Sequence, residues 1–397
     1  MSEMLGNVLA CWLVAALLAS ADAASVSALR AQLTASRAAC INGSNGIILR
    51  LNNSAEDEAD LAPGGGRGEA PRAAALARRQ NRLAEFVVRQ NVNVGRQNVV
   101  VKKTFVDLLP AVTMDAPSDD FLDDLLNDPE IERVEADCRV VVDISVQQTA
   151  AADHSRRLAQ QTDMPWNLDM IDAPAGEDGS YSWSPGAAGE GIRIYVLDTG
   201  VRTDHEDFAG RAVGGWSTCN GFSVACSTDG STGWVDQGII NGASGSCNSH
   251  GTHVASTAAG ARYGVAKGAT VVAVQVLSCL DGSGSFSAIF AAMEWAASDS
   301  NGQPAVISMS LGAQAQSTIM HETIALLHRS RNMNVVVAAG NSNMNAIDFL
   351  PASTPDAITV GAVDRSGKLM RTSQQACSHG MHRFADFSST EWRIPHV

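Results

Sequence analysis

Four short, nearly unbroken apolar runs constrain the fold of this chain more than any other feature. They are IRIYVLD at 192–198, TVVAVQVL at 270–277, AVISMSL at 305–311 and NVVVAAG at 334–340. A strand with one wet face alternates apolar and polar side chains, whereas an unbroken run suits a parallel strand buried on both faces. Helical patterns lie between the runs: HVASTAAGA from His253, FSAIFAAMEWAAS at 286–298 and STIMHETIALLHRSR at 317–331. Parallel neighbours need a crossover, and a helix is the usual one. The alternation therefore predicts an α/β domain with a doubly wound, mostly parallel sheet. No internal repeat is visible.

A different pattern precedes it. Ser118 suits the N-cap of a helix carrying Phe121, Leu122, Leu125 and Leu126 on one face, and Asp128-Pro129 stops it. Ile131, Val134 and the valines at 140–142 then suggest strands, giving a small α+β unit at about 99–143. Upstream, GIILRL at 46–51 is strand-like, and residues 62–85 read as a flexible or helical connector whose Arg78-Arg79 pair forms a solvated face. Residues 148–163 read as a polar linker.

The N-terminus sets the compartment. VLACWLVAALLAS at 8–20 is too short to span a bilayer comfortably, and Ala21-Asp22-Ala23 has the small-x-small form of a cleavage site. A signal peptide at 1–23 is expected, with Glu3 where a basic residue is usual, and no later segment resembles a membrane span. A secreted, likewise membrane-free chain permits disulfides. Cys11 leaves with the signal, and Cys40, Cys138, Cys219, Cys226, Cys247, Cys279 and Cys377 remain, with their connectivity open. A staple within the Gly/Ser-rich stretch holding 219, 226 and 247 suits the spacing better than a zinc site. Asn42 and Asn52 head glycosylation sequons. The net charge of −14 argues against a nucleic-acid partner, although DDFLDDLLNDPEIERVEAD at 119–137 supplies much of it.

In open parallel sheets the chemistry gathers at the carboxyl ends of the strands. Asp198 ends the first run, Ser310-Leu311-Gly312 closes the third and Asn341 follows the fourth. NSHGTHVA at 248–255 opens a helix with two histidines. Asp198-Thr199-Gly200 also matches the aspartic-protease signature, but that chemistry needs two such motifs or a dimer of small β-rich chains. His250 and His253 could share a metal on one helix face, but a zinc protease needs a Glu beside the first His and an i,i+4 pair.

Taken in order, Asp198-Thr199-Gly200-Val201, His250-Gly251-Thr252-His253-Val254-Ala255, Ser310-Leu311-Gly312 and Ala339-Gly340-Asn341 resemble the subtilisin-like serine proteases, most closely the proteinase K branch. Gly264-Val265-Ala266 and Pro351-Ala352-Ser353 fit as well, over roughly residues 161–365. The resemblance implies a propeptide at 24–147 acting as an intramolecular inhibitor, a catalytic domain at 164–364 and a monomer acting on protein or peptide substrates. It implies that Asp198 orients His250, that His250 takes the proton of a serine hydroxyl, and that Asn341 donates to the oxyanion. Gly282-Ser283-Gly284 and Ser310-Leu311-Gly312 would pair with an extended substrate, and His253 would be a structural neighbour. No cofactor is needed for this chemistry. Structural calcium is compatible with the resemblance, and Pro355 and Ala357 offer carbonyls, but no metal residue is assigned.

There are departures. A Cys- and Gly-rich stretch at about 214–246 reads as an insertion, and Ala313 stands where the family has a second glycine. The family's nucleophile lies in Gly-Thr-Ser-Met-Ala, and Gly-Thr-Ser is absent from these 397 residues. The stretch 365–397 reads as a divergent tail, and none of Ser373, Ser378, Ser388 or Ser389 opens a small-residue helix. The expectation is a protease whose nucleophile this chain lacks, inactive or a fragment; the alternative is a non-catalytic peptide- or protease-binding paralogue.

Overall fold

The structure is a computed structural model. It describes residues 25–41, 43–61, 69–94, 101–115, 117–142, 160–162, 164–172, 178–184, 186–218, 248–278, 281–371, 373 and 381–384.

The first unit contains α1 (Val26–Ala39), β1 (Ser44–Leu51), α2 (Ala55–Leu61), α3 (Glu69–Val94), β2 (Val101–Phe105), β3 (Ala111–Met114), α4 (Asp119–Leu126) and β4 (Ile131–Val141). Ser118 caps α4 by accepting from the Phe121 N–H at 3.4 Å, and Phe121, Leu122, Leu125 and Leu126 are all buried. The strands form an antiparallel sheet in the order β4-β1-β3-β2.

The unit is larger than the 99–143 read from the sequence. β1, the GIILRL segment, lies between β3 and β4 and pairs with both, so without it β4 would not join the β2–β3 pair. Ile47, Ile48 and Leu49 are buried. The connector read at 62–85 takes its helical form from 69 on, as part of a helix that continues to 94 and buries Ala75, Leu83 and Phe86. Arg79 is also not on a solvated face. It is 3% exposed, donates to Asn53 Oδ1 at 3.1 Å and to the Val106 carbonyl at 3.0 Å, and burial pushes its pKa down to about 10. A disulfide, Cys40–Cys138, ties the end of α1 to β4.

The second unit begins with a short ribbon of β5 (Gln160–Gln161) and β6 (Tyr181–Ser182), with α5 (Trp166–Asp172) between them. Its main strands and helices are β7 (Arg193–Asp198), β8 (Ala212–Ser217), α6 (His250–Ala259), β9 (Thr270–Gln275), β10 (Ser283–Ser285), α7 (Phe286–Asp299), β11 (Ala305–Met309), α8 (Thr318–Arg331), β13 (Met333–Ala338), β15 (Ala357–Gly361) and β16 (Met381–Phe384). A two-strand pair, β12 (Ala313–Gln314) with β14 (Phe349–Leu350), sits beside them.

Seven strands form one sheet in the order β8-β9-β7-β11-β13-β15-β16, and every adjacent pair is parallel. The chain runs from β7 out to β8, returns through β9 and crosses to β11. Helices cover both faces. On one, α6 packs its Ala255 and Ala259 with Ile194, Val196, Val271 and Ala273. On the other, α7 and α8 bring Ile289, Met293 and Ile324 to Tyr195, Leu197, Ile307 and Val335. This is the doubly wound α/β fold, and the four apolar runs are its strands β7, β9, β11 and β13. Strand β16, inside the stretch read as a divergent tail, adds a seventh strand that the sequence reading did not single out.

The two units share a seam. β4 pairs antiparallel with β10 through Ser283↔Val141, Gly284↔Val140 and Ser285↔Arg139.

Candidate active site

Asp198 ends β7 with its carboxylate fully buried. Its backbone carbonyl accepts from the Val276 N–H at 2.9 Å and the Leu277 N–H at 3.2 Å, which fixes the strand end against the chain leaving β9. Its Oδ1 accepts from the Thr199 N–H at 2.7 Å and lies 2.7 Å from His250 Nδ1. Opposite charge within such a distance favours the protonated imidazole.

Neighbouring residues set that distance. Asn248 Oδ1 accepts from the His250 N–H at 3.0 Å, and Thr199 Oγ1 accepts from the Gly251 N–H at 3.0 Å. The start of α6 is therefore clamped onto the turn after β7. Gly251 is required there, because a Cβ would stand 2.1 Å from the Gly200 carbonyl oxygen and 3.1 Å from Asp198 Oδ1. Sequence reasoning missed Thr199 and Asn248 as positioning residues. For Asn248 the signal was present, since short polar side chains at a helix start commonly bond local backbone N–H groups, whereas Thr199 acts across 52 positions and no local pattern marks it.

Two effects oppose each other at His250. Burial lowers its pKa, while the Asp198 charge and hydrogen bond raise it, and the net shift is upward. His253 responds differently. Burial first, and then the charge of His250, push it down to about 4, against a smaller pull from Asp198. Near neutral pH, His253 is therefore uncharged. Among the described residues, no group of three or more His, Cys, Asp or Glu side chains converges as a metal site would.

The two backbone segments expected to hold a peptide flank one. The Val142 N–H donates to the Gly282 carbonyl at 3.0 Å. Val141 exchanges both backbone hydrogen bonds with Gly312, at 3.2 and 3.3 Å. Residues 140–142 are thus an extended strand between β10 and Gly312, with Val140 and Val142 buried and Val141 half-buried. Ser283 and Gly284 lie on β10; Ser310 and Leu311 lead from the end of β11 into Gly312.

Asn341 is exposed and follows the end of β13 after Gly340, whose φ is +106°. It shares the carboxyl edge with Asp198, and β11 lies between their strands, which sets them about 10 Å apart in strand spacing. Of the tail serines considered, Ser373 is buried and its Oγ accepts from the Ala362 N–H at 3.0 Å. Ser378, Ser388 and Ser389 lie outside the described residues, as do Cys219, Cys226, Cys247, Cys279, Cys377, Asn42 and most of the 148–163 linker.

Comparison with known proteins gives the same direction. A family model described as the subtilase family matches residues 189–393, just over half of the chain. A cuticle-degrading serine protease of Orbilia oligospora is 39% identical over 252 residues, covering 62% of this chain and 50% of that protein. An extracellular serine proteinase of Thermus sp. (strain Rt41A) is 36% identical over 270 residues, covering 68% of this chain and 56% of that protein. Among solved structures, the crystal structure of a cold adapted subtilisin-like serine proteinase matches with 34% identity and a TM-score of 0.46, over 56% of this chain and 72% of that one. The chain spans about half the length of the curated relatives it matches. No helix among the described residues is long and apolar enough to cross a membrane. With a parallel sheet that ends in an aspartate bonded to a helix-borne histidine, and a family model matched across it, the chain belongs to the subtilase family.

Proposed function

We propose that this chain is the precursor form of a secreted serine endopeptidase of the subtilisin type. The observation that carries the reading is the 2.7 Å contact between Asp198 Oδ1 and His250 Nδ1, made by a carboxylate with no exposed surface. Asp198 holds His250 in the tautomer with its proton on Nδ1, which leaves Nε2 with a lone pair. Nε2 takes the proton of a serine hydroxyl as its oxygen attacks the scissile carbonyl. The proton then passes to the leaving amine, and water hydrolyses the acyl-enzyme by the same route in reverse. Asn341 donates its side-chain N–H to the oxyanion; loss of such a donor costs about a hundred- to a thousandfold in rate, a magnitude the field takes from subtilisin itself.

Gly282-Ser283-Gly284 and Ser310-Leu311-Gly312 receive the substrate as an added strand and read its main chain, so specificity for side chains is broad. The seating of residues 140–142 between them supports a first unit that acts as an intramolecular inhibitor in the substrate's position.

The nucleophile is the part these 397 residues do not supply in Gly-Thr-Ser form. A second reading, a peptide- or protease-binding paralogue, is favoured by the occupied strand-pairing edges, which need no nucleophile. A fluorophosphonate label together with a peptide-hydrolysis assay on the purified chain separates the two. We expect neither label nor hydrolysis from residues 1–397, and both from a longer product that carries the motif. A longer product that carries the motif yet takes no label contradicts the protease reading.

A further inference from the structure

Both glycosylation sequons, Asn42-Gly43-Ser44 and Asn52-Asn53-Ser54, fall in the first unit, and residues 143–397 contain none. Asn42 lies outside the described residues, whereas the second sequon is described in full. It forms the turn between β1 and α2, with Asn52 exposed and Asn53 and Ser54 half-buried.

That turn is held from within the first unit. The Asn52 N–H donates to the Glu130 carbonyl at 2.8 Å. Asn53 Oδ1 accepts from Arg79 Nε at 3.1 Å, and Ser54 Oγ accepts from the Asp57 N–H at 3.1 Å as the N-cap of α2. The inner two side chains of the sequon therefore serve the fold, and Asn52 takes the outward place. Its Nδ2 donates to the carbonyl of Pro129, a residue that is itself exposed, at 2.8 Å. A side-chain amide carries two hydrogens on nitrogen. One is enough for Pro129, so the other can be replaced by a bulky group that points to solvent while the turn stays closed.

On the secreted reading above, we propose that Asn52 carries an N-linked oligosaccharide and that the first unit is the N-glycosylated part of the chain.

The donor is an oligosaccharide on a lipid-linked diphosphate. A bond forms between Nδ2 and the anomeric carbon of the first sugar, and the bond from that carbon to the diphosphate breaks. One Nδ2 proton passes to base, and the lipid diphosphate leaves. The transfer also needs the hydroxyl of the third sequon residue. In the folded chain Ser54 is half-buried and bonded to the Asp57 N–H, so addition precedes closure of the β1–α2 turn. The sugar is bulky and solubilising, and the folded turn presents it at the surface. A cut in the 148–163 linker then parts a glycosylated first unit from a sheet unit that has no acceptor sequon.

The test is peptide mapping of the full 397-residue chain, made with its own N-terminus in an N-glycosylating eukaryotic host and treated with peptide-N-glycosidase in heavy-oxygen water. The treatment turns a glycosylated Asn into a heavy-oxygen-labelled Asp. Trypsin separates the sequons, with Asn42 in the peptide 38–50 and Asn52 in the peptide 51–67. Label is expected at Asn52 and at no asparagine of the sheet unit, and Asn52→Gln should lose one carbohydrate step from the intact mass. Ser54→Ala should abolish the label although Asn52 remains, and Ser54→Thr should keep it. Both are read on whole-cell extract. Transfer precedes folding, so the readout stands even where a variant misfolds. A chain that has lost residues 1–23 yet carries no label at Asn52 would overturn the proposal and leave the secreted reading intact. A chain that keeps residues 1–23 and carries no label would overturn both. Label that persists in Ser54→Ala, the mark of spontaneous deamidation, would also overturn the proposal.

Discussion

The two halves of the parallel sheet are built differently although they share one strand direction and one pattern of register. Past their first residues, β7 and β9 are buried at every position. β11, β13 and β15 alternate: Ile307, Met309, Val335, Val337 and Ala357 are buried against α7 and α8, while Val306, Ser308, Val336, Ala338, Ile358 and Val360 are only half-buried. These latter residues continue the face that α6 covers further along. Register places Val196, Ser308, Val336 and Ile358 in one row across four strands. Val196 ends in the core under α6; Val336 and Ile358 do not. The half packed on both faces carries the assembled Asp198–His250 pair. The other half, covered by helices on one face only among the described residues, carries Asn341, exposed at its edge. Precise side-chain geometry accompanies two-sided packing, since only then do neighbours fix both the strand end and the helix that meets it.

Substitutions sharpen that contrast. Gly251→Ala should have the largest effect, about 3 kcal/mol in urea unfolding of the sheet unit, because the added methyl has backbone on one side and Asp198 on the other. It should also lengthen the His250–Asp198 contact, visible as a loss of the upward shift of the imidazole. Next comes the matched pair within one row. Val196→Ala should cost about 2 kcal/mol and Val336→Ala less than about 1 kcal/mol, because only the first leaves a cavity with atoms on all sides. Equal costs in the urea midpoint would show that the second half is as tightly packed as the first.

What was legible in the sequence follows from how local each signal was. The four apolar runs declared their strands because two-sided burial erases alternation, and the helices between them carried intact periodicity. The 250–259 helix and the Asp198 strand end were marked by small residues and motif spacing within a few positions. What was not legible was long-range. Nothing near GIILRL says that it pairs with strands more than sixty residues later, and Arg79 looked solvated because its partners, Asn53 and the Val106 carbonyl, come from other elements. The role of Thr199 became visible only when two motifs about fifty residues apart met. β15 escaped notice because Thr359 and Gly361 interrupt its short apolar run, and β16 because MHRF shows neither an unbroken apolar run nor a clean alternation.

The central claim is that Asp198 controls the protonation of His250. Burial alone would push the imidazole down, and the carboxylate at 2.7 Å reverses that. The direct measurement is an NMR titration of the His250 ring in the full chain and in Asp198→Asn. The pair predicts a pKa above the ordinary 6.5 in the native chain and, with the carboxylate neutralised and burial unchanged, a value below 6.5 in the variant. A His250 that titrates at the same pH in both chains would contradict it.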